Sequence, residues 1–146
     1  MTFEEFESTY PNGFYDAEIV SVSIDYRNRE VKLQINLRGN MPDSPDSQEY
    51  KLAVLTLHSF YYFSIEPPEP DHLFSFRSPY ITAVGYPEDP AQFPLIENLK
   101  PTLPLGAFCC RFYIHDWNSF IHVAANKAQL SWVKGEVGEM PATADC

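Results

Sequence analysis

Basic residues are scarce in this chain. It carries 10 Lys and Arg against 20 Asp and Glu, for a formal net charge of −10. No run of them could neutralise a row of phosphates, which argues against DNA, RNA or an anionic membrane as partner. A basic protein partner is compatible with this charge, and so is the plainer role of keeping the protein soluble. Long apolar runs are missing as well: none approaches the roughly 20 residues that cross a bilayer as a helix. The stretch from Met1 to Glu7 has neither the basic region nor the apolar core of a secretory signal. Cysteine is sparse, with 3 residues at Cys109, Cys110 and Cys146. An odd count without C-x-x-C spacing is neither a disulfide framework nor a zinc site, so reduced cysteines in the cytoplasm are expected. Phosphate-binding, dinucleotide, nucleophile-elbow, H-E-x-x-H and EF-hand patterns are all lacking. No cofactor or metal is therefore expected, and an enzyme ranks behind a binding protein.

What is present is patterned hydrophobicity. A chain of 146 residues suggests one domain spanning 1–146. A domain of that size buries about 70% of its unfolded surface. Hydrophobic residues make up 45% and aromatics 15%, too much for low-complexity disorder.

The best-specified stretch runs from Phe108 to Trp132 and reads as a β-hairpin plus a further strand. With Asp116 to Ser119 as the loop, Ile114 faces Ile121, Phe112 faces Val123 and Cys110 faces Ala125. That puts all six apolar side chains on one face. The opposite face then carries Tyr113 facing His122, His115 beside Phe120, and Arg111 facing Ala124. A one-residue slip would mix the two sets. Ala124 to Ala128 reads as a turn into a strand at Gln129 to Val133, whose face holds Ala128, Leu130 and Trp132.

Other segments follow the same logic. Thr2-Phe3-Glu4-Glu5 has capping-box form, and Phe3, Phe6 and Tyr10 suggest a short N-terminal helix ended by Pro11-Asn12-Gly13. Phe14 to Tyr26 and Glu30 to Arg38 read as a hairpin turning at Arg27-Asn28. Its register pairs Ile24 with Val31, Val22 with Leu33 and Val20 with Ile35 on the buried face. Asp25 opposite Glu30 is a like-charge blemish. Gly39 to Gln48 is a loop, Tyr50 to His58 a strand, and Phe60 to Ile65 another. Nine of the thirteen prolines lie between Pro67 and Pro104. That region predicts an ordered, stiffened wrap with short strands at Leu73 to Phe76 and Ile81 to Tyr86 and a helical turn within Pro90 to Leu99. About seven to eight strands in all suggest an antiparallel β-sandwich or strongly curved sheet, with a β-barrel as the alternative.

Candidate binding residues cluster on the hairpin's second face and loop: Tyr113, His115, Asp116, Trp117, Asn118, Phe120 and His122. Aromatics there suit an interface anchor or carbohydrate stacking, and Trp117 at a loop tip is the one whose burial is not automatic. A His115–His122–Asp116 metal site is conceivable, but it matches no known ligand spacing and Phe120 stands between the histidines. Cys110 on the apolar face would be an inert thiol, and nothing beside Cys109 supplies an oxyanion hole. Whether residues 67–104 cover this face decides its role.

Two segments resemble small uncharacterised bacterial proteins of immunity-like type. One is Phe14-Tyr15-Asp16-Ala17-Glu18-Ile19 followed by Asp25-Tyr26, with Tyr15 where a histidine is expected. The other is Asp116-Trp117-Asn118-Ser119-Phe120-Ile121 and the stretch on to Trp132, similar to their last hairpin. The resemblance implies a β-rich bacterial domain and carries no catalytic residues. The reading that emerges is a non-catalytic cytoplasmic protein-interaction module, immunity-like in kind. A small-ligand or carbohydrate-binding β-domain is the alternative.

Overall fold

A computed structural model describes residues 5–6, 13–38, 50–72, 79–84, 93–133 and 137–139. Among them, β1 (Glu18–Asp25), β2 (Glu30–Arg38), β3 (Tyr50–Ile65), β4 (Ile81–Val84), β5 (Phe108–Ile114), β6 (Ser119–Trp132) and β7 (Val137–Glu139) form one sheet. Its order is β1-β2-β3-β6-β5-β4, with β7 pairing β6 beside that path, and every pairing is antiparallel. The curved-sheet arm of the expectation therefore describes the fold, and the strands do not divide into two packed sheets.

The curl is tight enough for the two edges to meet at one end. Glu18 on β1 forms an antiparallel bridge with Tyr80, just before β4. Three backbone bonds seal this seam: Asp16 N to Ile81 O at 2.7 Å, Ile81 N to Ala17 O at 2.9 Å, and Ile19 N to Pro79 O at 2.9 Å. Pairing the edges removes N–H and C=O groups that would otherwise recruit another chain.

The β1–β2 register agrees with the sequence reading from Asp25↔Glu30 through Ser21↔Gln34. Beyond that a bulge intervenes, so Ile19 rather than Val20 pairs with Ile35. Ile19 is buried and Val20 exposed. One extra residue in β1 reverses which side chain faces the core and bends the strand toward the seam. The predicted start of this strand at Phe14 is instead a turn through Gly13–Asp16, with Asp16 left-handed at φ 64°.

The apparent strand breaks at Ser59 and Asn126 are corners within two long strands. β3 and β6 stay paired from Ala53↔Trp132 to Ile65↔Ile121. At the corner the core-facing positions step by three on both strands, from Leu57 to Phe60 and from Ala128 to Ala125. A period-two pattern interrupted in this way looks like a strand end, yet here it bends a continuous ladder. Ser59 takes up the bend at φ 53°.

The core lies inside the curl. Val31, Leu33, Ile35 and Leu37 of β2 meet Leu55 and Leu57 of β3, Leu130 of β6, and Phe108, Phe112 and Ile114 of β5. Phe6, in a helical stretch with Glu5, packs edge-on to Phe14 at 6.4 Å between ring centres. The rest of the expected N-terminal helix, the strand at Leu73 to Phe76 and the loop 39–48 lie outside the described residues. The helical turn predicted within Pro90 to Leu99 is present as α1 (Pro94–Leu99), with proline at its first turn where no N–H is needed.

The cysteines differ from expectation. Cys110 is buried, whereas Cys109 is in a disulfide. Adjacent strand residues point to opposite faces, so the two thiols meet different surroundings.

Candidate functional site

The β5–β6 hairpin keeps the two faces that alternation demands but not the expected pairing. The four-residue loop is His115 to Asn118, one residue earlier than predicted. Ile114 pairs with Ser119, Tyr113 with Phe120, Phe112 with Ile121 and Arg111 with His122. The cause is local. His115–Trp117 forms a 3-10 turn closed by Asn118 N to His115 O at 3.1 Å, and Asn118 adopts a left-handed conformation at φ 46°. Asparagine tolerates that conformation better than serine, which sets where the turn ends. Each residue's partner moves by two positions, so each side chain stays on its predicted face.

On the second face the rings form a row. His115 lies 6.3 Å from Tyr113, Tyr113 lies 5.0 Å from Phe120, and Phe120 lies 6.1 Å from His122, measured between centres. The two histidines thus stand at opposite ends with aromatic rings between them. Among the described residues, no group of three His, Cys, Asp or Glu side chains stands together as metal ligands would.

This face is covered at the His122 end. Phe93, at the start of α1, meets Phe120 at 5.1 Å and His122 at 4.8 Å, both edge-on. The Arg111 guanidinium lies 4.7 Å from the centre of Phe93 and 4.9 Å from that of Phe120, a flat cation between two rings. Arg111 and His122 are each only 2% exposed. From the end of β3, Glu66 binds the same patch through both carboxylate oxygens. It accepts from Phe120 N at 2.9 Å and meets His122 Nε2 at 3.0 Å. Burial pulls the His122 imidazole below its ordinary range. The hydrogen bond and charge of Glu66 oppose this, and Arg111 adds to it.

The loop side chains divide. His115 and Asn118 are exposed, with Asn118 Oδ1 accepting from the Tyr113 hydroxyl at 2.6 Å. Trp117 is half-buried and packs on the core, and its carbonyl accepts from Glu69 N at 2.9 Å. A loop-tip tryptophan awaiting a partner is therefore replaced by one that folds inward.

Asp116 looks the other way, toward the seam. There the Tyr80 hydroxyl lies 3.5 Å from Glu18 Oε2, and Tyr50 donates to Asp16 Oδ2 at 2.8 Å. Glu18 Oε1 accepts from Asn36 Nδ2 at 2.8 Å. The charge of Glu18 is the largest influence holding the Tyr80 phenol above its ordinary range. Partial desolvation, the charge of Asp16, the Glu18 hydrogen bond and the charge of Asp116 act in the same direction. Tyr15, next to Asp16, is exposed. Sequence reasoning missed Glu66, Arg111 and Phe93, and it missed the seam residues Asp16, Glu18, Tyr50 and Tyr80 as a group. Only contacts between distant segments bring them together. No protein-family model matches the chain, and no curated protein or solved structure matches it either.

Proposed function

We propose that this chain is a non-catalytic protein-interaction module whose seam receives a cationic segment of another protein. The observation that carries this reading is the concentration of carboxylates around a tyrosine where the sheet closes. Asp16, Glu18 and Asp116 all act on Tyr80, with Tyr50 bonded among them. Tyrosine offers rigid apolar area with a polar tip, and carboxylates beside it favour Lys or Arg. The net charge of −10 would speed encounter with such a partner. The immunity-like resemblance of the segments holding Asp16, Glu18 and Asp116 agrees with a role in binding another protein.

Titration with lysine- and arginine-rich peptides tests this reading. The expected outcome is salt-sensitive binding, weakened by Glu18→Gln with Asp116→Asn by roughly 0.2–1 kcal/mol for each carboxylate removed. The charge-matched pair Glu5→Gln with Glu97→Gln should leave affinity unchanged. Equal weakening by both pairs would reduce the effect to net charge and defeat the reading.

A second reading, carbohydrate binding, is favoured by a different group. Tyr26 is 75% exposed at the β1–β2 tip and meets Phe60 edge-on at 5.9 Å, while Arg29 lies over the Tyr61 ring at 5.1 Å. A glycan array with Tyr26→Ala as control decides it, and silence across the array removes it.

A further inference from the structure

Glu66 follows β3, and the segment it begins continues alongside β6 to the hairpin loop. Four bonds fasten it there. Glu66 N donates to Phe120 O at 3.0 Å and Glu69 N donates to Trp117 O at 2.9 Å. Phe120 N donates to Glu66 Oε1 at 2.9 Å, and His122 Nε2 meets Glu66 Oε2 at 3.0 Å. Two of the four therefore depend on one carboxylate, and one depends on the protonation of a single imidazole.

The imidazole is unusually placed. A carboxylate oxygen accepts only, so Nε2 is the protonated nitrogen of the neutral ring. Nδ1 then carries a lone pair, and it is buried with no hydrogen-bond partner among the described residues. Phe93 closes over the ring at 4.8 Å. A second proton on Nδ1 would create a buried N–H donor with nothing to accept it, which is costly. It would also place a cation beside Arg111. Among the described residues, the charged groups acting on the ring are Glu66 from the end of β3 and Arg111 from β5. The cap residue Phe93 and the neighbouring Phe120 on β6 carry no charge.

We propose that Glu66 and His122 form an acid-sensitive latch: neutral His122 holds the segment after β3 closed on the hairpin, and protonation of His122 releases it. Release would uncover the Phe120–His122 edge that Glu66 now covers. The direction of titration agrees with the geometry. The closed state holds His122 below its ordinary value of 6.5, whereas an opened state exposes it to solvent. The open form then binds the proton more readily. Closure is at full strength above the ordinary histidine range, weakens as the pH falls through it, and levels off below the closed-state value.

Amide hydrogen exchange of the full chain between pH 7.5 and 5 tests this, above the range near pH 4 where carboxylates generally titrate. Intrinsic exchange rates are corrected for pH, and the Leu33 amide in β2 serves as reference. Protection at the Phe120 amide should fall relative to Leu33, by at most about tenfold per pH unit for one linked proton. His122→Gln retains an N–H for Glu66 but cannot titrate, so its Phe120 protection should stay level. Protection that is flat in the wild type, or that falls equally in His122→Gln, overturns the latch. If the variant does not fold, nitrogen-15 chemical shifts of His122 in the wild type decide instead. The expected result is an Nε2-protonated neutral ring at pH 7 whose titration coincides with the Phe120 step. A ring that titrates without that step overturns the proposal.

Discussion

Arg29 and Phe60 hold one another through both backbone polar groups of Phe60. Phe60 N donates to Arg29 O at 3.1 Å, and the Arg29 guanidinium donates to Phe60 O from Nε at 3.3 Å and from Nη2 at 3.1 Å. Arg29 is left-handed at φ 53°, as is Ser59 next to Phe60, also at φ 53°. The tip of the β1–β2 hairpin is thus pinned to the corner of β3, and each strained residue is held by the other segment.

Removing the fork should loosen the corner. Arg29→Ala is expected to lower stability by about 1–2 kcal/mol, since hydrogen bonds to charged groups contribute somewhat more than neutral ones. Arg29→Lys should recover only part of it, because an ammonium cannot reproduce two parallel donors. Urea midpoints check this. A midpoint unchanged in Arg29→Ala would mean that the backbone bond alone holds the corner.

Core and cover should respond very differently to truncation. Phe112 is completely buried inside the curl. Phe112→Ala should cost about 3–5 kcal/mol through lost burial and a cavity. Leu95 on α1 is 79% exposed, and Leu95→Ala should lie within roughly 0.5 kcal/mol of wild type. Thermal unfolding of both variants provides the comparison, and a large loss at Leu95 would show that this leucine has a covering partner.

Asp25 caps the first hairpin turn. Its Oδ1 accepts from Asn28 N at 3.0 Å and its Oδ2 from Asn28 Nδ2 at 2.8 Å. The backbone bond is the main cause, and the side-chain bond the next, of a carboxyl held below its ordinary 3.8. The folded state therefore binds this proton less readily than the unfolded chain. Its contribution to stability is complete above the ordinary carboxylate value and vanishes as pH falls through the lowered one. Carbon-13 titration of the Asp25 carboxyl should show a low midpoint that rises in Asn28→Ala. The same midpoint in both proteins would rule out the Asn28 side chain and leave its backbone bond as the cause. The like-charge neighbour is accommodated as well, because Glu30 turns to Lys32 at 3.3 Å and His58 at 3.3 Å.

Tyr80 reports on the seam. Its phenol sits above an ordinary value of 10.0, with the charge of Glu18 as first cause. The folded state favours the neutral phenol, so this contribution is present below the ordinary tyrosine range and is lost as pH rises through the raised value. Glu18→Gln should bring the Tyr80 transition down, read as the ultraviolet difference between this variant and one also carrying Tyr80→Phe. An unmoved transition would place the cause in burial alone.

Legibility in the sequence followed the distance over which each contact acts. Val31, Leu33, Ile35 and Leu37 were assigned to the core correctly because alternation is a property of the strand itself. The Asp25 turn was readable for the same reason. The β5–β6 faces were readable too, while their pairing was not, since the choice between two loop positions rested on Asn118 rather than Ser119 accepting a left-handed backbone. Ser59 and Asn126 misled because one broken period can mean either an end or a corner. Glu66 could not have been joined to His122, 56 residues away, without knowing that β3 and β6 pair.

By itself the sequence determined a β-rich chain, the inward set of side chains on most strands, and an acidic surface. Each follows from local alternation or from composition. Tertiary structure alone decided that the strands make one curled sheet rather than two, because that depends on where long strands bend and which edges meet. It also decided that Trp117 turns inward and that His122 is sealed under Phe93 and Glu66. Finally, it gathered Asp16, Glu18, Tyr80 and Asp116 at one seam, where charges far apart in the chain act on a single phenol.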